Sequence, residues 1–123
     1  MTTDARPLRN LTRGTEVASR VATAEGIWGR FRGLMLRPDL PADEGLWLPG
    51  TSSIHMMFMR FPIDCAFLGR PAADGSREVL ALRRSLPAWW GVAWAGKADG
   101  VAELAAGALE RSATQVGDRL RLG

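Results

Sequence analysis

Three side chains of this sequence could perform acid/base chemistry if the fold brought them together. His55 is the only histidine, Asp64 follows a proline by two residues within a mostly apolar stretch, and Glu103 stands in a second apolar run. An imidazole and two carboxylates can transfer protons in a pocket, and Arg37 or Arg60 could hold an anionic ligand beside them. A structural interpretation competes with this one: a strand-end carboxylate accepts hydrogen bonds from backbone amides, Glu103 pairs with an arginine, and His55 is a satisfied core donor.

Soft ligand atoms accumulate in the same stretch, which raises the question of a metal site. Thioether, thiol and imidazole together suit copper(I). The alternation of side chains along a strand does not require these residues to share a face, and methionines in a two-faced strand commonly fill gaps in a core. We therefore predict neither a metal nor a cofactor from the set His55, Met56, Met57, Met59 and Cys65.

Three of the five tryptophans fall within residues 87–99, a glycine-containing segment with no usable hydrophobic period. Such a segment is typical of a long loop. The rings could form a stacking platform for a ligand or partner, or they could fold back as a lid over the mouth of a barrel. The ligand-binding candidates of the whole chain are Arg37, Met59, Arg60, Trp89, Trp90 and Trp94.

These candidates must be positioned by a fold that is rich in strands. Residues 54–68 alternate on both sides of Pro62, and both faces are largely apolar, which predicts strands covered on two sides. Residues 24–36 carry apolar side chains at helical spacing and predict the main helix. We expect an α+β fold, mostly antiparallel, in which a barrel or strongly curled sheet has this helix packed across it. By length, residues 1–123 predict one domain, with residues 1–6 as a loosely held lead.

Composition excludes several classes of function. A net charge of +3 without a basic run gives no support for nucleic-acid binding. One cysteine cannot form an internal disulfide, and neither a signal peptide nor a run of about 18 apolar residues is present. We expect a cytoplasmic protein without a membrane span, whose partner is an unknown small molecule or protein.

Four motifs resemble the family known as domain of unknown function 192. They are F-R-G-L-M-L-R at residues 31–37, H-x-x-F-M-R-F-P-I-D-C-A-F-L at 55–68, A-E-L-A-A-G at 102–107 and V-G-D at 116–118. The resemblance implies a compact β-rich domain found in bacteria and archaea and implies no activity. Met56, Met57 and the tryptophan-rich segment depart from the family pattern, and some relatives carry an export signal. The positions that match the motifs are Gly33, Leu34, Met35, Arg37, His55, Met59, Pro62, Asp64, Glu103, Gly107, Gly117 and Asp118.

Two hypotheses of function remain open on the sequence. The preferred one is a ligand- or partner-binding accessory module with a pocket near His55, Asp64 and the tryptophan-rich segment. The alternative is a small hydrolase or isomerase that uses Asp64 and Glu103 with His55. No nucleophile elbow, phosphate loop or zinc spacing is present in the sequence.

Overall fold

The computed structural model describes residues 5–24, 37–56 and 59–123, and its main feature is a closed β-barrel. Seven strands form the barrel in the order β1-β2-β3-β8-β5-β6-β9, and β4 and β7 form a separate two-stranded sheet. All barrel pairs are antiparallel except β2 with β3. The predicted β-rich, mostly antiparallel barrel is therefore confirmed. The elements are β1 (Arg6–Asn10), β2 (Thr15–Thr23), β3 (Glu44–Pro49), β4 (Ser53–His55), β5 (Ile63–Leu68), β6 (Arg77–Leu86), β7 (Val92–Trp94), β8 (Gly100–Ala105), the helix α1 (Ala108–Arg111) and β9 (Arg119–Leu122).

The one parallel pair explains the long connection in the first half of the chain. Strands β2 and β3 run in the same direction, from the pair Arg20 and Glu44 to the pair Thr23 and Trp47. Parallel neighbours need a crossover of a dozen or more residues, commonly a helix. The helix predicted at about 24–36 falls in this connection, and residues 25–36 lie outside the described residues.

Two hydrophobic cores lie on the two faces of the barrel wall. The interior core takes side chains from all seven barrel strands, whereas the second core lies between the outer wall and the β4–β7 sheet. Strands β5 and β8 contribute to both cores, and all twelve of their residues are buried. Members of the interior core include Leu8, Val21, Trp47, Leu68, Val79, Ala102 and Leu120, and members of the outer core include Leu48, Ile54, Met56, Met59, Ile63, Phe67 and Ala93.

The first half of the 54–68 stretch differs from the prediction of a strand covered on both faces. Strand β4 ends at His55, and only Ile54 of its three residues is buried. The reason is that this strand lies on the barrel wall rather than in it, so one of its faces contacts solvent. The chain then turns, with the Met59 amide donating to the Met56 carbonyl at 3.0 Å, and both methionine side chains are buried. The second half, β5, has the predicted bounds.

Residues 87–99 were predicted to be a loop, and this prediction is wrong for β7. Ala93 pairs with Ile54 and faces the barrel wall, while Val92 and Trp94 face outward and are exposed. Burial alternates along β7, but hydropathy does not, because the exposed face also carries apolar residues. The period-2 rule depends on hydropathy and therefore could not detect this strand.

Strand β1 begins at Arg6, which pairs with Val21 of β2, so Arg6 is not part of the predicted lead. Residues 1–4 lie outside the described residues. Within the described ranges, the structure contains no helix that is both long and apolar enough to cross a membrane. The cytoplasmic location stays a prediction.

Candidate functional site

Asp64 is fully buried and bound by backbone amides. Its Oδ1 accepts from the Ser85 amide at 2.9 Å, and its Oδ2 accepts from the amides of Gly107 and Leu109, both at 3.1 Å. Ser85 and Gly107 have φ angles of 48° and 96°, in the left-handed region. The carboxylate thus ties the end of β6 and the β8–α1 turn to the start of β5. The donors are 21 to 45 residues away in sequence, rather than in the turn beside Pro62.

Glu103 is another buried carboxylate, and it lies within a strand rather than at a strand end. It stands in the middle of β8, between Leu46 of β3 and Cys65 of β5, and its side chain faces the outer core. The residue is 6% exposed. Burial raises the pKa of Glu103 to about 7. Burial, and then the charge of Glu103, raise the pKa of the Cys65 thiol well above its usual range.

His55, Asp64 and Glu103 do not converge on one cavity. Asp64 pairs with Leu104 and shares its face of the sheet, whereas Glu103 pairs with Cys65 on the other face. His55 is exposed on the outward face of β4. The arrangement therefore supplies no shared pocket for these three groups within the described residues.

The three remaining candidates from the first half of the chain differ in their surroundings. Arg37 is 3.5 Å from Glu44, which also pairs with Arg20 at 2.8 Å. Arg60 is exposed, and Met59 is buried in the outer core. Their roles as ligand-binding residues stay predictions.

The tryptophans of residues 87–99 form what we call the ribbon surface, which consists of His55, Trp89, Trp90, Val92 and Trp94. Trp90 is 88% exposed, Trp94 67%, Val92 60% and Trp89 49%. Trp89 has a φ of 71°, which is uncommon for a bulky residue, and its amide donates to the Met56 carbonyl at 2.8 Å. A lid would bury its rings against the barrel, so this exposure favours the platform interpretation.

A cavity that the sequence did not indicate opens at one end of the barrel, and we call it the barrel-mouth cavity. Its volume is about 260 Å³, and Arg77 is the one charged residue among the described residues that line it. The Arg77 guanidinium lies 4.8 Å from the centre of the Trp47 ring. The lining comes from strands that are distant in sequence, so no motif could signal it: Leu8, Val21, Trp47, Leu68, Pro71, Gly75, Arg77, Ala102, Leu120 and Leu122.

Asp118 belongs to a buried polar cluster with a structural role. Its Oδ2 accepts hydrogen bonds from the Asn10 amide group at 2.9 Å, from Arg13 Nε at 3.0 Å and from the Gln115 backbone amide at 3.0 Å. Burial alone would raise the pKa of Asp118, but the hydrogen bonds from Arg13, Asn10 and Gln115 lower it below its ordinary value. Residues 116 and 117 form a turn before β9, which this cluster holds in place.

Comparisons with known proteins extend these observations. Residues 9–122 match the model of the DUF192 family, described as uncharacterized ACR. A UPF0127 protein of Thermococcus sibiricus is 36% identical over 92% of this chain and 72% of its own length. A UPF0127 protein of Pyrococcus furiosus is 31% identical over 90% of this chain and 93% of its own length.

Two solved structures share the fold. A proposed transcription regulator from Sinorhizobium meliloti has a TM-score of 0.78 at 23% identity, and the alignment covers 97% of this chain and 92% of that one. A protein of unknown function from Novosphingobium aromaticivorans has a TM-score of 0.74 at 22% identity, with 98% and 84% covered. Identities at this level show the fold alone. The family match and the archaeal relatives go further, and together they show that this chain belongs to the uncharacterised DUF192 family.

Proposed function

We propose that this protein is an accessory module that binds a protein partner through the ribbon surface. The observation that carries the proposal is the exposure of Trp89, Trp90, Val92 and Trp94 around one short strand. The exposure of Val92 and Trp94 is fixed by the fold, since Ala93 and Ile54 occupy the inward face of the β4–β7 sheet. Clustered exposed apolar side chains mark interaction sites more often than chance placement does.

The shape of the ribbon surface favours a protein over a small molecule. Small-molecule sites are concave and enclose most of the ligand, whereas a Trp90 side chain that is 88% exposed projects from the surface. The three tryptophans together expose about two whole side chains, on the order of 400–500 Å². A standard interface buries about 800 Å² on each partner, so these rings would supply about half of one side. Tryptophan is also among the residues most enriched in binding hot spots.

Two valines provide a matched test of this proposal. Val92 on the ribbon surface is 60% exposed, and Val116 in the turn before β9 is 61% exposed. A photo-crosslinking amino acid placed at residue 92 should capture a specific protein in cells, whereas the same amino acid at residue 116 should not. The captured partner is then purified for direct titration. Trp94→Ala should raise the Kd at least tenfold, and Val116→Ala should change it less than twofold.

The outcomes of this experiment separate the candidates. Equal capture at both positions, or a Kd that Trp94→Ala leaves unchanged, would contradict the proposal. If the captured protein is a second copy of this chain, sedimentation should show self-association that Trp94→Ala weakens, and the partner is then the chain itself. If the wild type binds no protein through this surface but a small ligand quenches its tryptophan fluorescence, the partner class is wrong.

The hydrolase or isomerase hypothesis keeps one supporting observation. The pKa of about 7 makes Glu103 suitable for proton transfer near neutral pH. Asp64 is instead occupied by three backbone amides, and His55 lies on the ribbon surface. The geometry of the described residues therefore supports the binding module better.

A further inference from the structure

The barrel-mouth cavity lies apart from the ribbon surface and has the features of a small-molecule site. Its floor consists of interior-core residues, among which Val21, Ala102 and Leu120 are fully buried. Its rim consists of Pro71 and Gly75, which are exposed, and of Arg77 and Leu122, which are partly buried. A space with a buried apolar floor and an accessible rim can admit a molecule without opening the barrel.

The volume of the cavity sets the size of the occupant. An engineered protein cavity of about 150 Å³ binds benzene, which has six non-hydrogen atoms. By proportion, the 260 Å³ of the barrel-mouth cavity suits a molecule of about ten non-hydrogen atoms. A bicyclic compound has this size. A peptide segment does not fit, because the fully buried floor prevents a chain from passing through the barrel.

The charges at the rim set the polarity of the occupant. Arg77 Nη1 donates to the Gly69 carbonyl at 3.0 Å and to Asp99 Oδ2 at 2.8 Å. The salt bridge to Asp99 balances the charge of the guanidinium, and the other lining residues that the structure describes are apolar or glycine. An anionic ligand would lose its hydration without meeting a net positive charge. The wall instead offers apolar side chains, among them the Trp47 ring, one face of which the Arg77 guanidinium covers.

We propose that the barrel-mouth cavity binds a small uncharged aromatic compound of about ten non-hydrogen atoms, with its ring system against the apolar walls and its polar edge at the rim near Arg77. This inference does not rest on the proposed partner binding.

Indole, with nine non-hydrogen atoms, is a suitable probe. A titration of the ¹⁵N-labelled protein, followed by amide chemical shifts, should give saturable changes around the cavity. The matched variants are Leu122→Trp and Leu82→Trp, since both leucines are partly buried against the interior core but only Leu122 lines the cavity. Leu122→Trp should weaken indole binding at least tenfold, and Leu82→Trp should change it less than twofold.

A second variant keeps the test decisive if Leu122→Trp fails to fold. Pro71 is an exposed rim residue, so Pro71→Trp should obstruct the cavity without disturbing the core, and it should also weaken binding at least tenfold. The proposal is overturned by the absence of saturable shifts up to the solubility of indole, or by shifts confined to the ribbon surface. It is also overturned if indole-3-carboxylate binds tenfold more tightly than indole, since the site would then select anions. Trp94→Ala should leave indole binding within twofold, which separates this test from that of partner binding.

Discussion

Replacing Glu103 with glutamine should change how the stability of the protein depends on pH. The carboxylate is 6% exposed, and burial raises its pKa from 4.5 to about 7. A carboxyl group whose pKa is higher in the folded state favours folding in its neutral form. Its contribution to stability is fully present below the unfolded pKa of 4.5 and is lost as the pH rises through about 7.

The magnitude follows from the two pKa values. Each unit of difference corresponds to about 1.4 kcal/mol, so ionisation of Glu103 should lower the free energy of unfolding by about 3 kcal/mol across this interval. Glutamine is the uncharged isostere of the protonated side chain and does not ionise. Glu103→Gln should therefore be close to the wild type at about pH 4.5 and more stable by about 3 kcal/mol at about pH 8.5.

Urea denaturation followed by tryptophan fluorescence at several pH values measures this difference. The gain at high pH should move the midpoint by on the order of 1–2 M urea. Glu78→Gln is the control, because Glu78 is exposed on β6 and its replacement should give no such trend. Titratable groups common to all three proteins cancel in the comparison. A stability difference between Glu103→Gln and wild type that stays constant with pH would refute the reasoning.

Two further substitutions test the other buried carboxylates. Asp64→Asn replaces one acceptor oxygen with a donor that faces backbone amides. It should lower the free energy of unfolding by about 2–4 kcal/mol in denaturant titrations at neutral pH. The control is Asp39→Asn at an exposed position, which should change the free energy of unfolding by less than about 0.5 kcal/mol. A small effect at Asp64 would mean that the three amides find other partners. For Asp118, whose pKa is lowered, the stabilisation is present above the unfolded pKa of 3.8 and is lost as the pH falls through the folded value. Acid unfolding followed by circular dichroism should therefore lose less stability in Asp118→Asn than in wild type over that interval, and parallel curves would contradict this assignment.

Local sequence patterns predicted much of the secondary structure. The bounds of β5 follow from Pro62 before it and Gly69 after it, and its two apolar faces predicted its burial on both sides. The same patterns failed at β7, because its exposed face is as apolar as its buried one. Alternation reports burial only when the exposed residues are polar.

The candidate site depended more strongly on tertiary contacts. The sequence singled out Asp64, His55 and Glu103, but their relation is decided by the register of β5 with β8 and by the position of β4 outside the barrel. The barrel-mouth cavity was not predicted at all, since its lining spans residues 8 to 122.

By itself, the sequence determined the β-rich class, the family and several strands, because hydrophobic period and turn residues act over a few neighbouring positions. Only the tertiary structure decided the barrel closure between β1 and β9, the three amides that bind Asp64 and the exposure of the ribbon surface. These features join residues up to about a hundred positions apart, and their pairing depends on the packing of the whole barrel rather than on any local pattern.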